Sequence, residues 1–376
     1  MTEQLVLDGS KLLWHRERLQ AWLNGEHIAP ITIDCALSSN CTYNCVYCYG
    51  KLQRMGQGNL PRDVVMRFLD EAAEIGVKAI SFVSDGESAC NPSLREAVLR
   101  GRANGLDMAL GTNGYSLKDE DLPDMLPALT YLRFNISSAT PEGYGKIHGV
   151  SAKCRDKVLA TIRGAVEIKQ AEKLPVTLGL QMVLMPEFAG EILPLARLGA
   201  DLGVDYLVIK HCSDDEEGSL GVQYGQYEQL TDVLRRAEAL SRPGYLVKAK
   251  WSKIMSGGKR GYRACYGPAF ILQFSGSGLV APCGMLFNDK YKRFHIGSLY
   301  EQSFKEMWQG PRWREVMGML SAKEFDARHD CGSLCLQHKV NELLHEIVCE
   351  GKHVDFTSYP PPPTPCDSQP MHINFI

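Results

Sequence analysis

The chain has 376 residues, 44% apolar and 23% charged, with a formal net charge of −3. That length suits a core domain with an addition, and that charge argues against the broad basic surface that binds nucleic acid or an anionic membrane. No apolar run is long enough to cross a bilayer and the N-terminus lacks the apolar core of a secretory signal, so a cytoplasmic protein is expected.

Residues 1–27 form an N-terminal extension in which "LLWHRERLQAWL" reads as an amphipathic helix. A repeating pattern then fills residues 28–240. Short β-branched runs occur around Ile31, Phe82, Ala109, Phe134, Leu180 and Val208, separated by helical segments. "PRDVVMRFLDEAAEIG" is typical, with Pro61 at its start and Gly76 at its stop. Such alternation predicts parallel βαβ units. Six units predict an α/β fold, an incomplete (β/α)6 TIM-like barrel; an open doubly wound sheet has the same periodicity. The polar loops "CALSSNC", "SDGES", "TNGY", "SSATPEGYG" and "HCSDDEEG" follow the strands, where ligands bind in such folds.

The pattern breaks at Ser241-Arg242-Pro243-Gly244. Residues 245–350 read as a small α+β domain. "AFILQFSGSGLVAPCGML" predicts a β-hairpin turning at Ser275–Gly278, and two later segments are helical. Residues 351–376 are a proline-rich tail, whose last "MHINFI" is apolar enough to dock on the barrel and bring His372 near the site.

Thirteen cysteines are many for a reducing compartment, where disulfides are disfavoured. Cys41, Cys45 and Cys48 form one group; Cys265, Cys283, Cys331 and Cys335 form another, with Cys349 as a replacement ligand. Structural zinc sites use four ligands. Three thiolates on a tight loop suit a [4Fe–4S] cluster with one iron left open. Four thiolates can close a cluster, or bind zinc.

The C-x3-C-x2-C loop, with Tyr47 before its last cysteine, resembles the cluster motif of the radical S-adenosylmethionine (SAM) superfamily, which has an incomplete (β/α)6 barrel. The resemblance implies a [4Fe–4S] cluster on Cys41, Cys45 and Cys48 with SAM at its open iron. It also implies reductive cleavage of SAM to a 5′-deoxyadenosyl radical and hydrogen abstraction from a substrate. "SDGES" resembles the Gly-Gly-Glu segment that contacts the SAM amino group, with Asp85 in place of the first glycine, then Gly86 and Glu87. Asn113 in "GTNG", Asn135 and Ser137 on the fourth strand, and Gln181 on the fifth complete the implied SAM contacts. Cys265-x12-Gly278-x4-Cys283 resembles the opening of SPASM/Twitch auxiliary domains, and with Cys331 and Cys335 it implies one auxiliary [4Fe–4S] cluster.

The expected activity is oxidation or epimerisation of a polar, sugar- or cyclitol-like small molecule. An electron donor such as flavodoxin or ferredoxin would be a partner, with neither nucleic acid nor membrane involved. Cys212 and Cys90 are candidate hydrogen donors for epimerisation, and Lys210 and His211 candidate substrate contacts. The alternatives are a maturase acting on a peptide substrate and a non-catalytic metal-binding scaffold. "SDDEEG" reads as a solvated acidic loop or a rim that repels anions.

Overall fold

The computed structural model describes residues 5–53, 56, 58–333, 335–354 and 372–376. The "PPPP" stretch and Cys366 lie outside the described residues. The first six strands are β1 (Thr32–Cys35), β2 (Ala79–Phe82), β3 (Asp107–Thr112), β4 (Leu129–Asn135), β5 (Thr177–Leu184) and β6 (Tyr206–His211). They pair in parallel and in chain order, and each lies in a run read from the sequence.

Strand alternation sorts the side chains. Ile33, Ile80, Leu132, Phe134, Leu178, Leu180 and Ile209 join one large core with the surrounding helices. The helix Arg62–Glu74 shows why these segments coil. Its apolar residues Val64, Val65, Phe68, Leu69 and Ala72 fall on one buried stripe. Pro61 occupies its N-cap position.

The sheet runs further than the periodicity indicated. Strand β7 (Leu246–Ala249) extends it in parallel beyond β6, and β8 (Ile271–Phe274) pairs in parallel with β1 at the opposite edge. Strands β9 (Leu279–Ala281) and β10 (Gly297–Ser298) continue antiparallel from β8. The expected hairpin is β8–β9, turning at Ser275–Gly278. Both outer strands of the six-stranded unit are thereby paired rather than left as bare edges. Among the described residues the sheet has ten strands and no β7–β10 pairing, so the barrel is open.

The other face of the sheet lines a lumen. Its N-terminal end is filled by residues 372–376. Phe375 packs on Ala79, Ala109 and Tyr131. His372 stacks on Tyr131 with ring centroids 5.3 Å apart and contacts Thr177 Oγ1 at 2.9 Å. Lys11 Nζ donates to the His372 carbonyl at 3.0 Å, and Asn374 Nδ2 to Asp107 Oδ2 at 2.8 Å. The tail docks on the barrel as expected, but at the end away from the cysteine loop, so His372 forms a floor and does not approach the cysteines.

Phe375→Ala should remove that floor and cost about 3 kcal/mol, the usual scale for emptying a buried aromatic site. Urea unfolding with unchanged slope would measure it, and an unaltered midpoint would show the segment to be dispensable.

Candidate functional site

The cysteine loop sits at the C-terminal ends of β1–β6 and is pinned by its backbone. Asn44 N donates to His148 O at 3.1 Å and Val46 N to Ile147 O at 2.9 Å, both at the end of the helix Pro141–His148. Gly149 ends that helix with φ 63°, and a Cβ there would collide with the Asn44 carbonyl oxygen. Glycine meets both demands at once.

His148 is the site residue the sequence reading missed. It is fully buried, and burial pushes its imidazole down to about 3, so the ring is neutral. Ser137 N donates to Nε2 at 3.1 Å, which places the ring proton on Nδ1. Nδ1 faces Cys45 Sγ at 3.3 Å and the Tyr47 hydroxyl at 3.4 Å. A neutral donor is thereby aimed at a ligand sulfur, a contact of the kind that tunes cluster potentials. A histidine before a helix-ending glycine carries no distinctive sequence signal.

The expected SAM-contact residues gather around the loop. Glu87 is buried and accepts from Thr112 Oγ1 at 2.8 Å, Asn113 N at 2.7 Å and Ala89 N at 3.0 Å. Burial still raises its carboxyl above the usual range. Asn113 Nδ2 reaches Thr42 Oγ1 at 3.4 Å and Cys41 Sγ at 3.7 Å. Asn135 Oδ1 accepts from Gln181 Nε2 at 2.7 Å, and Ser137 Oγ from Val183 N at 3.1 Å. Gly86 packs so tightly on Ser38 that a Cβ would meet its carbonyl oxygen.

Asp85 behaves differently. Its carboxylate, expected beside SAM, faces the β8–β9 turn, accepting from Ser275 Oγ at 2.5 Å and Gly276 N at 2.9 Å. The residue that departs from the Gly-Gly-Glu pattern ties the barrel to the C-terminal segment.

Cys212 is fully buried after β6, with Sγ 3.7 Å from the Tyr47 carbonyl oxygen and 3.4 Å from that of Ser213. Burial pushes its thiol up to about 12. Cys90 is half-buried and contacts Ser116 Oγ at 3.8 Å. Lys210 and His211 point to opposite faces of β6. Lys210 feels Arg133 and Asp34 across the lumen, whereas His211 lies against Tyr224 and Tyr227. The acidic loop is neither merely solvated nor a rim. Buried Asp214 accepts from Asp215 N and Leu220 N at 2.9 Å, and Glu216 pairs with Lys290 at 2.7 Å.

The second cysteine group surrounds one pocket. Cys265, Cys283, Cys331 and Cys335 all line it, among Pro268, Pro282, Leu320 and Phe325. Arg260 lines it too, and donates to the carbonyl oxygens of Ala327 at 2.6 Å and Ser333 at 2.5 Å. Asn341 Nδ2 donates to Cys265 Sγ at 3.2 Å. Cys349 is exposed, 3.8 Å from the Tyr266 hydroxyl, and is not among the pocket-lining residues.

The donor chemistry fits iron–sulfur clusters. Burial raises the loop thiols Cys41 to about 11 and Cys45 to about 12, and burial with neighbouring thiols raises Cys265, Cys283 and Cys331. Thiols in such surroundings ionise only against a strongly cationic group, which cluster iron supplies. Among the described residues, no three His, Cys, Asp or Glu side chains gather around a single ion.

Residues 36–198 match the radical SAM superfamily, and residues 265–337 match SPASM, an iron–sulfur cluster-binding domain. The chain carries a radical SAM domain followed by a SPASM-type domain. As a radical SAM enzyme it uses SAM and a [4Fe–4S] cluster, with a SPASM-type auxiliary cluster domain. The chain is 27% identical over 333 residues to the AdoMet-dependent heme synthase of Methanosarcina barkeri, covering 83% of this chain and 90% of that protein. It is 19% identical over 293 residues to the tungsten-containing aldehyde ferredoxin oxidoreductase cofactor-modifying protein of Pyrococcus furiosus, covering 74% and 80%. Its fold resembles Streptococcus suis SuiB bound to S-adenosylmethionine, with a TM-score of 0.62 at 13% identity over 80% of this chain and 71% of that one. It also resembles anSMEcpe with bound AdoMet, with a TM-score of 0.55 at 15% identity over 77% and 84%. No helix among the described residues is long and apolar enough to cross a membrane.

Asp85→Ala should cost about 2 kcal/mol, since two donors lose a charged acceptor, and should open the Ser275–Gly278 turn to protease. An unchanged unfolding midpoint would place the hold on the hairpin elsewhere. Anaerobic reconstitution should give about eight irons per chain, and Cys283→Ala about four; a wild type with about four irons plus zinc would assign the second pocket to zinc.

Proposed function

We propose that the protein oxidises a polar small molecule, with the loop cysteines holding the SAM-binding cluster and the four pocket cysteines holding one auxiliary [4Fe–4S] cluster that accepts an electron from the substrate. The observation that carries this reading is Tyr49. It follows Cys48 directly, and its hydroxyl donates to the Met285 carbonyl at 3.2 Å, two residues past Cys283. Burial raises that hydroxyl, and Cys283 and Cys331 are among the neighbours that raise it further. One side chain thus links the segments that carry the two cysteine groups.

When bound, the reduced cluster and SAM supply an agent that abstracts a hydrogen atom. The chain's own residues position that chemistry. Glu87, Asn113 and the Asn135–Gln181 pair line the SAM side, while residues 372–376 close the lumen beneath and keep water out. Cys41, Cys45 and Cys48 would hold the cluster at which SAM supplies the acceptor for the carbon-bound hydrogen of a substrate H–C–OH. Cys265, Cys283, Cys331 and Cys335 would hold the auxiliary cluster that takes up one electron from the substrate, with the hydroxyl proton going to solvent and C=O left behind. A flavodoxin or ferredoxin supplies the initiating electron. The two relatives that cover most of the chain carry names that point to heme and to an enzyme cofactor, which supports a small-molecule substrate. SuiB has been seen with a precursor peptide; that likeness bears on fold alone.

Epimerisation is the second reading, and Cys212 favours it. Its thiol lies beside the cysteine loop, is held neutral by burial, and carries a transferable hydrogen atom. The two readings separate in deuterium oxide. Reduced holoenzyme with SAM and candidate polyols should form 5′-deoxyadenosine and a product lighter by two hydrogens. Deuterium at an inverted carbon, lost in Cys212→Ala, would establish epimerisation instead. Absence of 5′-deoxyadenosine under every condition would remove the enzymatic reading.

A further inference from the structure

Three ionisable side chains, one of them the candidate substrate contact Lys210, share the barrel lumen. Asp34 on β1, Arg133 on β4 and Lys210 on β6 alternate with Ile33, Leu132 and Ile209, which belong to the outer core, so they face inward. Asp34 is 9% exposed, and the other two are half-buried. Arg133 lies over the Tyr131 ring, 5.4 Å from its centroid, above the floor made by Phe375 and His372. Glycines flank it on both neighbouring strands: Gly111 on β3 and Gly179 on β5 share its register. A Cβ at Gly111 would stand 3.6 Å from Arg133 Nη2, and the space at Gly179 is taken by the Tyr206 ring.

Asp34 attracts both cations, and the Arg133 guanidinium also hydrogen-bonds the Tyr206 hydroxyl, yet one carboxylate is set against two cations. Among the described residues neither Arg133 nor Lys210 forms an ion pair, and the buried Nε of Arg133 has no hydrogen-bond partner. Other ionisable groups face the cluster from packed elements. Lys253 and Lys250 follow β7, and Lys250 Nζ donates to the Leu7 carbonyl while Lys253 Nζ donates to that of Cys335 at 2.6 Å. Lys11 lies beneath, with Asp8 beside it. The lumen therefore holds more basic than acidic side chains. Buried charges without partners are costly, and elsewhere this chain matches its buried ions closely: Lys169 meets both oxygens of Asp205 at 2.6 and 2.5 Å.

We infer that Arg133 and Lys210 anchor an anionic group of the substrate, a carboxylate or a phosphate, in the lower lumen. This rests on reading the lumen as the substrate chamber. Position supports it. Lys210 is level with Val183, whose amide meets Ser137 beside the cysteine loop. Arg133 is level with Tyr206, four residues earlier on β6, so about 13 Å of strand separates the two backbone levels. Two long flexible side chains can converge from those levels on one anion. The Asn135–Gln181 pair, level with Val208, lies between those two levels. An anion held low leaves the remainder of the substrate pointing toward the cysteine loop, where hydrogen abstraction occurs. The guanidinium offers the planar fork that carboxylates and phosphates take in two bonds. Burial draws Lys210 down to about 7 with Arg133 and Lys253 as like-charged neighbours, a cost that an incoming anion relieves.

Calorimetric titration of the reconstituted, SAM-bound protein with inorganic phosphate, succinate and glycerol tests the assignment. One of the two anions should bind saturably and glycerol should not, and the anion that binds identifies the group. Arg133→Gln and Lys210→Gln should each weaken that binding by about tenfold or more, with Arg133→Lys weakening it less. Substrate-free Lys210→Met should melt no lower than wild type, because it removes a cation that has no partner. Binding of neither anion below about 10 mM, equal binding by the glutamine variants, or a Lys210→Met midpoint several degrees lower would each overturn the anchor. Formation of 5′-deoxyadenosine by the wild type is scored separately, so loss of the enzymatic reading is distinguishable from loss of the anchor.

Discussion

The junction at Asp85 is the contact on which the two-cluster arrangement depends. A carboxylate at the end of β2 accepts from the side chain of Ser275 and the backbone of Gly276. The same corner is packed without spare volume: a Cβ at Gly86 or Gly276 would collide with Ser38, and one at Gly50 would stand 2.7 Å from the Asp85 carbonyl oxygen. The cysteine loop, the β2 turn and the β8–β9 turn therefore meet backbone to backbone. That close approach lets β8 run parallel to β1 and carries Cys283 to a place that Tyr49 can reach from Cys48. Buried charge-assisted hydrogen bonds have strict geometry, so this corner holds one relative placement of hairpin and loop.

Thiol ionisation sets the second constraint. Every loop or pocket thiol with a resolved shift is raised, and burial is the largest cause each time. Donors such as Asn341 Nδ2 on Cys265 and the guanidinium of Arg260 at the pocket favour the thiolate only in part. Cluster iron is then a structural cation as much as a redox centre, and holding it couples to folding. The neutral His148 belongs to the same economy of charge. A protonated imidazole would stabilise the Cys45 thiolate more strongly, yet the dry setting admits only the neutral ring, with its single proton directed by Ser137.

Much of this was legible in the sequence. The six barrel strands, the hairpin turn at Ser275–Gly278 and the grouping of four distant cysteines followed from periodicity, turn residues and motif resemblance. What escaped depended on contacts that local pattern does not encode. Strand β7 is four residues long, with Lys248 exposed in its middle, so it shows no continuous apolar run. The pairing of β8 with β1 joins segments some 240 residues apart. Asp85 read as a departure from a glycine because its partner lies on another domain's turn. His148, Arg133 and Lys210 are polar residues whose burial only the closed fold reveals.

The lumen shows how one sheet serves two environments. The outer face of β4 carries Leu132 and Phe134 into the helix-packed core, while the inner face carries Tyr131, Arg133 and Asn135 upward from the floor. Polarity along that inner face is graded. Phe375, Ala79, Ala109 and Tyr131 make a largely apolar base with Asp34 at the same level; Arg133 follows; Asn135 and Gln181 satisfy each other above it; the thiols come last. A chamber built only for packing would have kept the middle layer apolar, since the strands already have cores to bury. Asp34 is pushed up to about 7 by burial even though Arg133 and Lys210 pull it down, so desolvation outweighs the attraction between these groups. A fold that tolerates that imbalance in its interior retains charge where a ligand, rather than the protein itself, completes the pairing.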